Sequence, residues 1–193
     1  MGLLLHSLGE KDFEIYDSKN HHSIINSHPA AHYINAKTFE LLRPIEGLED
    51  RIREASENLE RYRYYRYVRE IGGLTFQVTD QLKHDDLNLL KEYTDKLPAH
   101  MPQNMLQKVL LQEYEKKGIT NKLKLGAQVS ALEVQESGQV RVKVNRGLST
   151  ASGTKSDLKV DYDWLVLSDG FRSKLRNNFT NISMVGRECK VTL

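Results

Sequence analysis

An α/β fold with an antiparallel portion is what this 193-residue sequence predicts, and three observations carry the prediction. Near the start, an apolar helical stretch leads to a strand that ends on an acid, Asp17, which is the second half of a βαβ dinucleotide unit. In the second half of the chain, alternating segments meet across Ser137-Gly138, a hairpin signature. Towards the end, Trp164-Leu165-Val166-Leu167 is an apolar run of the kind buried on both faces of a sheet. It leads into Ser168-Asp169-Gly170 and then Arg172, Lys174 and Arg176. A carboxylate, a glycine and cations at the carboxyl end of a strand stand where open α/β sheets bind nucleotides.

Composition narrows the classes. A net charge of +2 is too small to argue for nucleic acid or an acidic membrane surface, so neither is expected as a partner. Cys189 is the single cysteine, which excludes an internal disulfide framework and fits a reducing compartment. The expected location is intracellular, in cytoplasm or mitochondrion. No apolar run approaches the roughly 20 residues that span a bilayer. Leu3-Leu4-Leu5 is too short for a signal-peptide core, and His6 stands where a myristoylation signal needs Ser or Thr.

In chain order, Gly2 to Gly9 reads as a short helix stopped by a glycine, and Phe13 to Tyr16 as a strand ending at Asp17. If Gly2 is the third glycine of a G-x-G-x-x-G turn, the first lies five positions upstream. Asp17 then falls about 20 residues after that first glycine, where the fingerprint has its ribose-binding acid. His21, His22, His28 and His32 lack the cysteines or carboxylates of a metal site and read as loop histidines. Thr38 to Arg43 is a helix ended by Pro44, and Leu48, Ile52, Ala55 and Leu59 share a helical face. Arg61 to Arg69 interleaves arginine with tyrosine. That composition suits a single-stranded nucleic-acid tract, but with Gly72-Gly73 following it is read as an exposed antiparallel strand, with Leu74 to Val78 as its neighbour. Lys83 to Leu97 reads as a linker with helical tendency.

Leu106, Val109, Leu110 and Tyr114 give one helical face, stopped at Gly118. Leu123 to Leu125, Gln128 to Val134 and Gln139 to Val144 are strands, and Ser149 to Lys155 is a polar loop. Cys189 has no neighbouring base and reads as inert.

Four of these places together resemble the flavin-dependent aromatic and phenolic hydroxylases, the monooxygenases with the p-hydroxybenzoate hydroxylase fold. Gly2 to Asp17 resembles the end of their FAD fingerprint. His28-Pro29-Ala30-Ala31-His32-Tyr33-Ile34-Asn35 is similar to their His-Pro-Arg-Ala-His-x-x-Asn loop, with Ala30 where the family has a cation. Pro102-Gln103-Asn104-Met105-Leu106 is similar to their Pro-Gln-x-x-Leu segment, and Ser168 to Arg176 to their Asp-Gly motif. The order and spacing agree over nearly the whole chain.

The resemblance implies a partial Rossmann-like FAD-binding fold lacking its first strand, with an antiparallel sheet portion. Residues 1–193 would be a single incomplete FAD-binding-type domain, and residues 59–98 an inserted region belonging to the substrate-side sheet. It implies FAD as cofactor, NADH or NADPH as electron donor and a small aromatic substrate. The residues that carry over are cofactor-binding ones. Gly2 belongs to the fingerprint and Asp17 to the ribose. Gln103 would lie near the flavin and Asp169 with Gly170 at the phosphate-ribose region, while His32 and Asn35 carry over from the His-Pro loop. No side chain is expected to be catalytic and none to bind metal. The alternative is a non-catalytic scaffold, or a subunit of a larger complex, whose open sheet edge a partner chain covers.

Overall fold

The computed structural model describes residues 1–28, 31–80, 92–146, 156–170 and 173–179. The chain divides into two compact units, one of Met1–Ile15 and His21–Leu123, the other of Tyr16–Asn20 with the chain from Lys124 onward.

In the first unit, α1 spans Gly2–Ser7, with Gly9 at φ +89° ending that segment as the glycine stop predicts. α2 (His21–Ile25) falls in a stretch that the sequence reads as loop. Asn35 caps α3 (Ala36–Leu42) by accepting the Thr38 N–H at 2.9 Å. α4 (Leu48–Glu54) starts after Gly47 and buries Leu48 and Ile52, two residues of the face read from the sequence. α5 (Gln103–Lys116) buries Val109 and Tyr114, while Leu106 and Leu110 pack beside them. These helices enclose a core of Leu3, Phe39, Leu48, Ile52, Met101 and Val109 among others.

A two-residue pair crosses this unit: β2 (Tyr33–Ile34) runs antiparallel to β5 (Ala99–His100), Tyr33 opposite His100. β3 (Tyr64–Val68) and β4 (Thr75–Asp80) form an antiparallel hairpin, the exposed strand and neighbour expected of the arginine-tyrosine stretch. Tyr64, Tyr65, Tyr67, Phe76 and Val78 are all exposed on it. Its base is tied by charge: Arg63 makes a bidentate bond to Asp80. The linker read at Lys83 to Leu97 lies mostly outside the described residues.

The second unit holds β7 (Ala127–Val134), β8 (Val140–Arg146) and β9 (Ser156–Tyr162) in one antiparallel sheet. Gly138 takes φ +86° in the turn between β7 and β8, a conformation that glycine adopts without steric cost. Val142 and Val144 are buried on one face, while Arg141 and Lys143 point to the other and pair with Asp161 and Asp157. α6 (Lys174–Phe179) packs against β7 and buries Leu175. β1 (Ile15–Asp17) and β6 (Leu123–Leu125) make a further two-stranded sheet.

One sequence expectation is corrected. The strand preceding the Asp-Gly turn is β9, seven residues long and ending at Tyr162, which alternates Leu158, Val160 and Tyr162 with charged residues. Trp164 to Leu167, expected as a strand buried on both faces, belongs to no strand, and Trp164 is 90% exposed. An apolar run is buried on two faces only if neighbouring strands flank it, and among the described residues none pairs with this one.

Candidate functional site

In the first unit the loop following His28 runs alongside the entry to α5. Gln103 donates its N–H to the Ala31 carbonyl at 2.8 Å, and Met101 donates to the His32 carbonyl at 2.9 Å. Pro102, which has no N–H to lose, precedes the first helical residue and sets the turn into α5. Gln103 is therefore held at a helix start with its side chain exposed, next to the backbone of His32. Asn35 lies at the far end of the same antiparallel pairing, where its side-chain oxygen also accepts the Thr38 hydroxyl. Ala30 lies outside the described residues.

Between these two segments lies a cluster of rings that the sequence reading did not single out. His100 is 2% exposed and stacks on Tyr62, with centroids 4.4 Å apart and planes within 10°. Tyr33 meets it edge-on at 5.3 Å and His32 at 5.6 Å. Burial, followed by repulsion from His32, pushes the His100 pKa below the ordinary histidine value. The only signal in the sequence is position: His100 stands three residues before Gln103.

Gly2 is in the same unit, on the first turn of α1. A Cβ there would collide with the Tyr114 hydroxyl and Ile15 Cδ1. This is the close helix-strand approach for which the third fingerprint glycine is used.

The remaining sequence-selected residues lie in the second unit. Asp17 ends β1 and accepts the Lys19 N–H at 2.8 Å, a local turn that holds one carboxylate oxygen. The Lys19 carbonyl in turn accepts the Gly126 N–H at 2.9 Å. Tyr16, just before Asp17, shares a 2.7 Å hydrogen bond with Tyr162 through their hydroxyls. Asp169 and Gly170 form the turn into α6. Asp169 accepts the hydroxyl proton of the buried Ser173 at 2.7 Å, while that oxygen accepts the Arg176 N–H at 2.9 Å. Gly170 has φ +87°, and its carbonyl accepts the Ser173 N–H. Thus the Asp-Gly turn is fixed by its own helix cap. Phe171 and Arg172 lie outside the described residues.

Among the described residues no three His, Cys, Asp or Glu side chains are grouped as metal ligands would be. No helix of the described residues is long and apolar enough to cross a membrane.

Compared with known proteins, residues 16–191 match the family described as FAD binding domain. Among solved structures the chain is similar to the flavin-dependent monooxygenase PieE in complex with FAD and substrate. The TM-score is 0.75 at 19% identity, covering 91% of this chain and 28% of that one. It is also similar to aklavinone-11 hydroxylase in a ternary complex with FAD and aklavinone, with a TM-score of 0.68 at 19% identity, covering 91% and 31%. No curated protein matches the chain. The chain spans less than a third of either enzyme, and at this identity the likeness is one of fold.

Proposed function

Since the chain belongs to the FAD-binding domain family, we propose that it is the cofactor-binding portion of a flavin-dependent monooxygenase. Its substrate would be a small aromatic or phenolic compound, and NADH or NADPH its electron donor. The observation that carries this reading is the family match over residues 16–191, which includes Asp17, the His-Pro loop, Gln103 and Asp169-Gly170. We take the two units as parts of one FAD-binding-type domain, with residues 59–98 on the substrate side.

Two residues support the reading. Gly2 is a glycine that a side chain could not replace without collision. Asp17 ends a strand, and the Lys19 N–H engages one of its two carboxylate oxygens. The other oxygen suits a ribose hydroxyl, with Gln103 near the flavin and Asp169 with Gly170 at the phosphate-ribose region. His32 and Asn35 line the same loop. FAD supplies the oxygen chemistry when bound. The protein's share is to bind and orient, so no general acid or nucleophile is assigned.

The test is the flavin content of the purified chain, and its uptake of added FAD. Uptake near one equivalent is expected, and Asp17→Ala should weaken it about 10- to 100-fold, the value of one hydrogen bond to a charged group. A chain that neither carries nor takes up FAD would sink the reading. The exposed apolar residues Trp164 and Val166 favour a second one: a non-catalytic scaffold, or a subunit of a larger complex, on which a partner chain covers them. A chain that stays soluble and monomeric alone would count against it.

A further inference from the structure

The β3–β4 hairpin supplies none of the residues assigned to the cofactor, and as a sheet it is unfinished. Ile71, Leu74, Phe76 and Val78 are each more than half exposed on it. A lone two-stranded hairpin is marginal in water, and three or more strands are needed before an apolar face holds a sheet together. This sheet consists of β3 and β4, and among the described residues nothing pairs with the far edge of β4.

The two edges are not alike. β3 carries Arg66 at its centre, with Arg63 and Arg69 just beyond its ends, and charges on an edge strand keep other strands away. β4 has no charge, glycine or proline from Thr75 to Thr79, and its threonines, phenylalanine and valine are strand formers. Asp80, the one charge in β4, is engaged by Arg63. The chemistry of a strand that would suit this edge follows from β4 itself. When a second β4 is set antiparallel to it about a twofold axis at Gln77, Thr75 faces Thr79, Phe76 faces Val78 and Gln77 faces its own copy. Thr–Thr and aromatic–β-branched are favourable cross-strand pairs, and an amide can both donate to and accept from another amide. Pairing two β3 edges about Arg66 instead sets arginine against arginine. Charge also argues against a polyanion here, because from Glu57 to Asp80 four arginines are balanced by four carboxylates.

We propose that β4 is a self-association edge, at which two copies of this chain join β4 to β4 as an antiparallel four-stranded sheet. The contact is isologous, so it closes at two copies, and the outer edges of the joined sheet are the arginine-bearing β3 strands. Phe76 and Val78, two residues apart, share one face of β4, so both copies contribute them to a single apolar stripe. An edge of five residues buries less than the roughly 1,000 Å² of a lasting interface, so the dimer is a weak and reversible one. The proposal does not depend on the flavin reading, and its surface is not the one at Trp164 and Val166.

Sedimentation velocity of the full chain over a range of concentrations, with and without FAD, tests it. Wild type should pass from monomer to dimer as concentration rises. Gln77 is exposed and lies opposite Tyr67, so a charge placed there leaves the hairpin intact. Gln77→Lys and Gln77→Glu each set like charges face to face across the axis, and each should weaken dimerisation about three- to tenfold. An equimolar mixture of the two variants should restore it to the wild-type level or beyond. Wild type that stays monomeric up to about 1 mM would overturn the proposal. So would a dimer that both variants keep undiminished, since the copies would then meet elsewhere. A mixture no more dimeric than either variant alone would overturn it too, because the axis would not pass through Gln77. FAD uptake by a chain that stays monomeric sinks the interface alone, and a Gln77-dependent dimer without FAD uptake sinks the flavin reading alone.

Discussion

Two residues show how differently a single position can be read. Gly2 was marked in the sequence by its place relative to Asp17, and the structure supplies a reason for it: the Tyr114 hydroxyl and Ile15 fill the space of a side chain, with the Phe13 ring at 3.0 Å. Gly2→Ala should therefore cost about 1–3 kcal/mol through overpacking, read from the urea midpoint. His100 carried no such mark. Its pKa is held down by burial and by His32, so the folded chain keeps it neutral where the unfolded chain, with a pKa of about 6.5, binds a proton. Stability from this group is present above pH of about 6.5 and falls as pH drops from there towards the depressed native pKa. His100→Phe should flatten the loss of stability between about pH 7 and pH 5 in urea melts.

At the scale of elements, long periodic segments were legible and short pairings were not. α5 announced itself through Leu106, Val109, Leu110 and Tyr114, because one apolar face kept over more than two turns is a strong local signal. β2 and β5 are two residues each, and their pairing joins positions 33 and 100, a contact that no local pattern encodes. The fixing of α4 to α5 was equally hidden. Glu113 is 1% exposed and bonds Arg51 of α4, with Lys117 at 3.4 Å. Because that carboxylate is desolvated, Glu113→Gln should destabilise the chain by about 1.5–3 kcal/mol. The cross-strand pair Arg141 and Asp161 is partly exposed to water. Removing it by Arg141→Ala should cost no more than about 1 kcal/mol. Comparing the two variants' denaturation midpoints checks that order.

At the scale of the whole molecule, FAD should stabilise the chain by mass action, raising its melting temperature with concentration. Near 100 times the dissociation constant the gain is about 2.7 kcal/mol. A melting temperature indifferent to FAD would contradict the proposed function. The sequence by itself determined the α/β class with its antiparallel portion, most of the longer helices and strands, and the family, which the match over residues 16–191 shows. These depend on periodicity, turn residues and motif spacing, all local along the chain. Only the tertiary structure decided that β9 ends before Trp164, that Trp164 is exposed, and that His32, Tyr33, Tyr62 and His100 meet in one cluster. An apolar run is buried only where other segments come to cover it, and rings far apart in sequence meet only through long-range contacts, so neither outcome is written in the run or the ring itself.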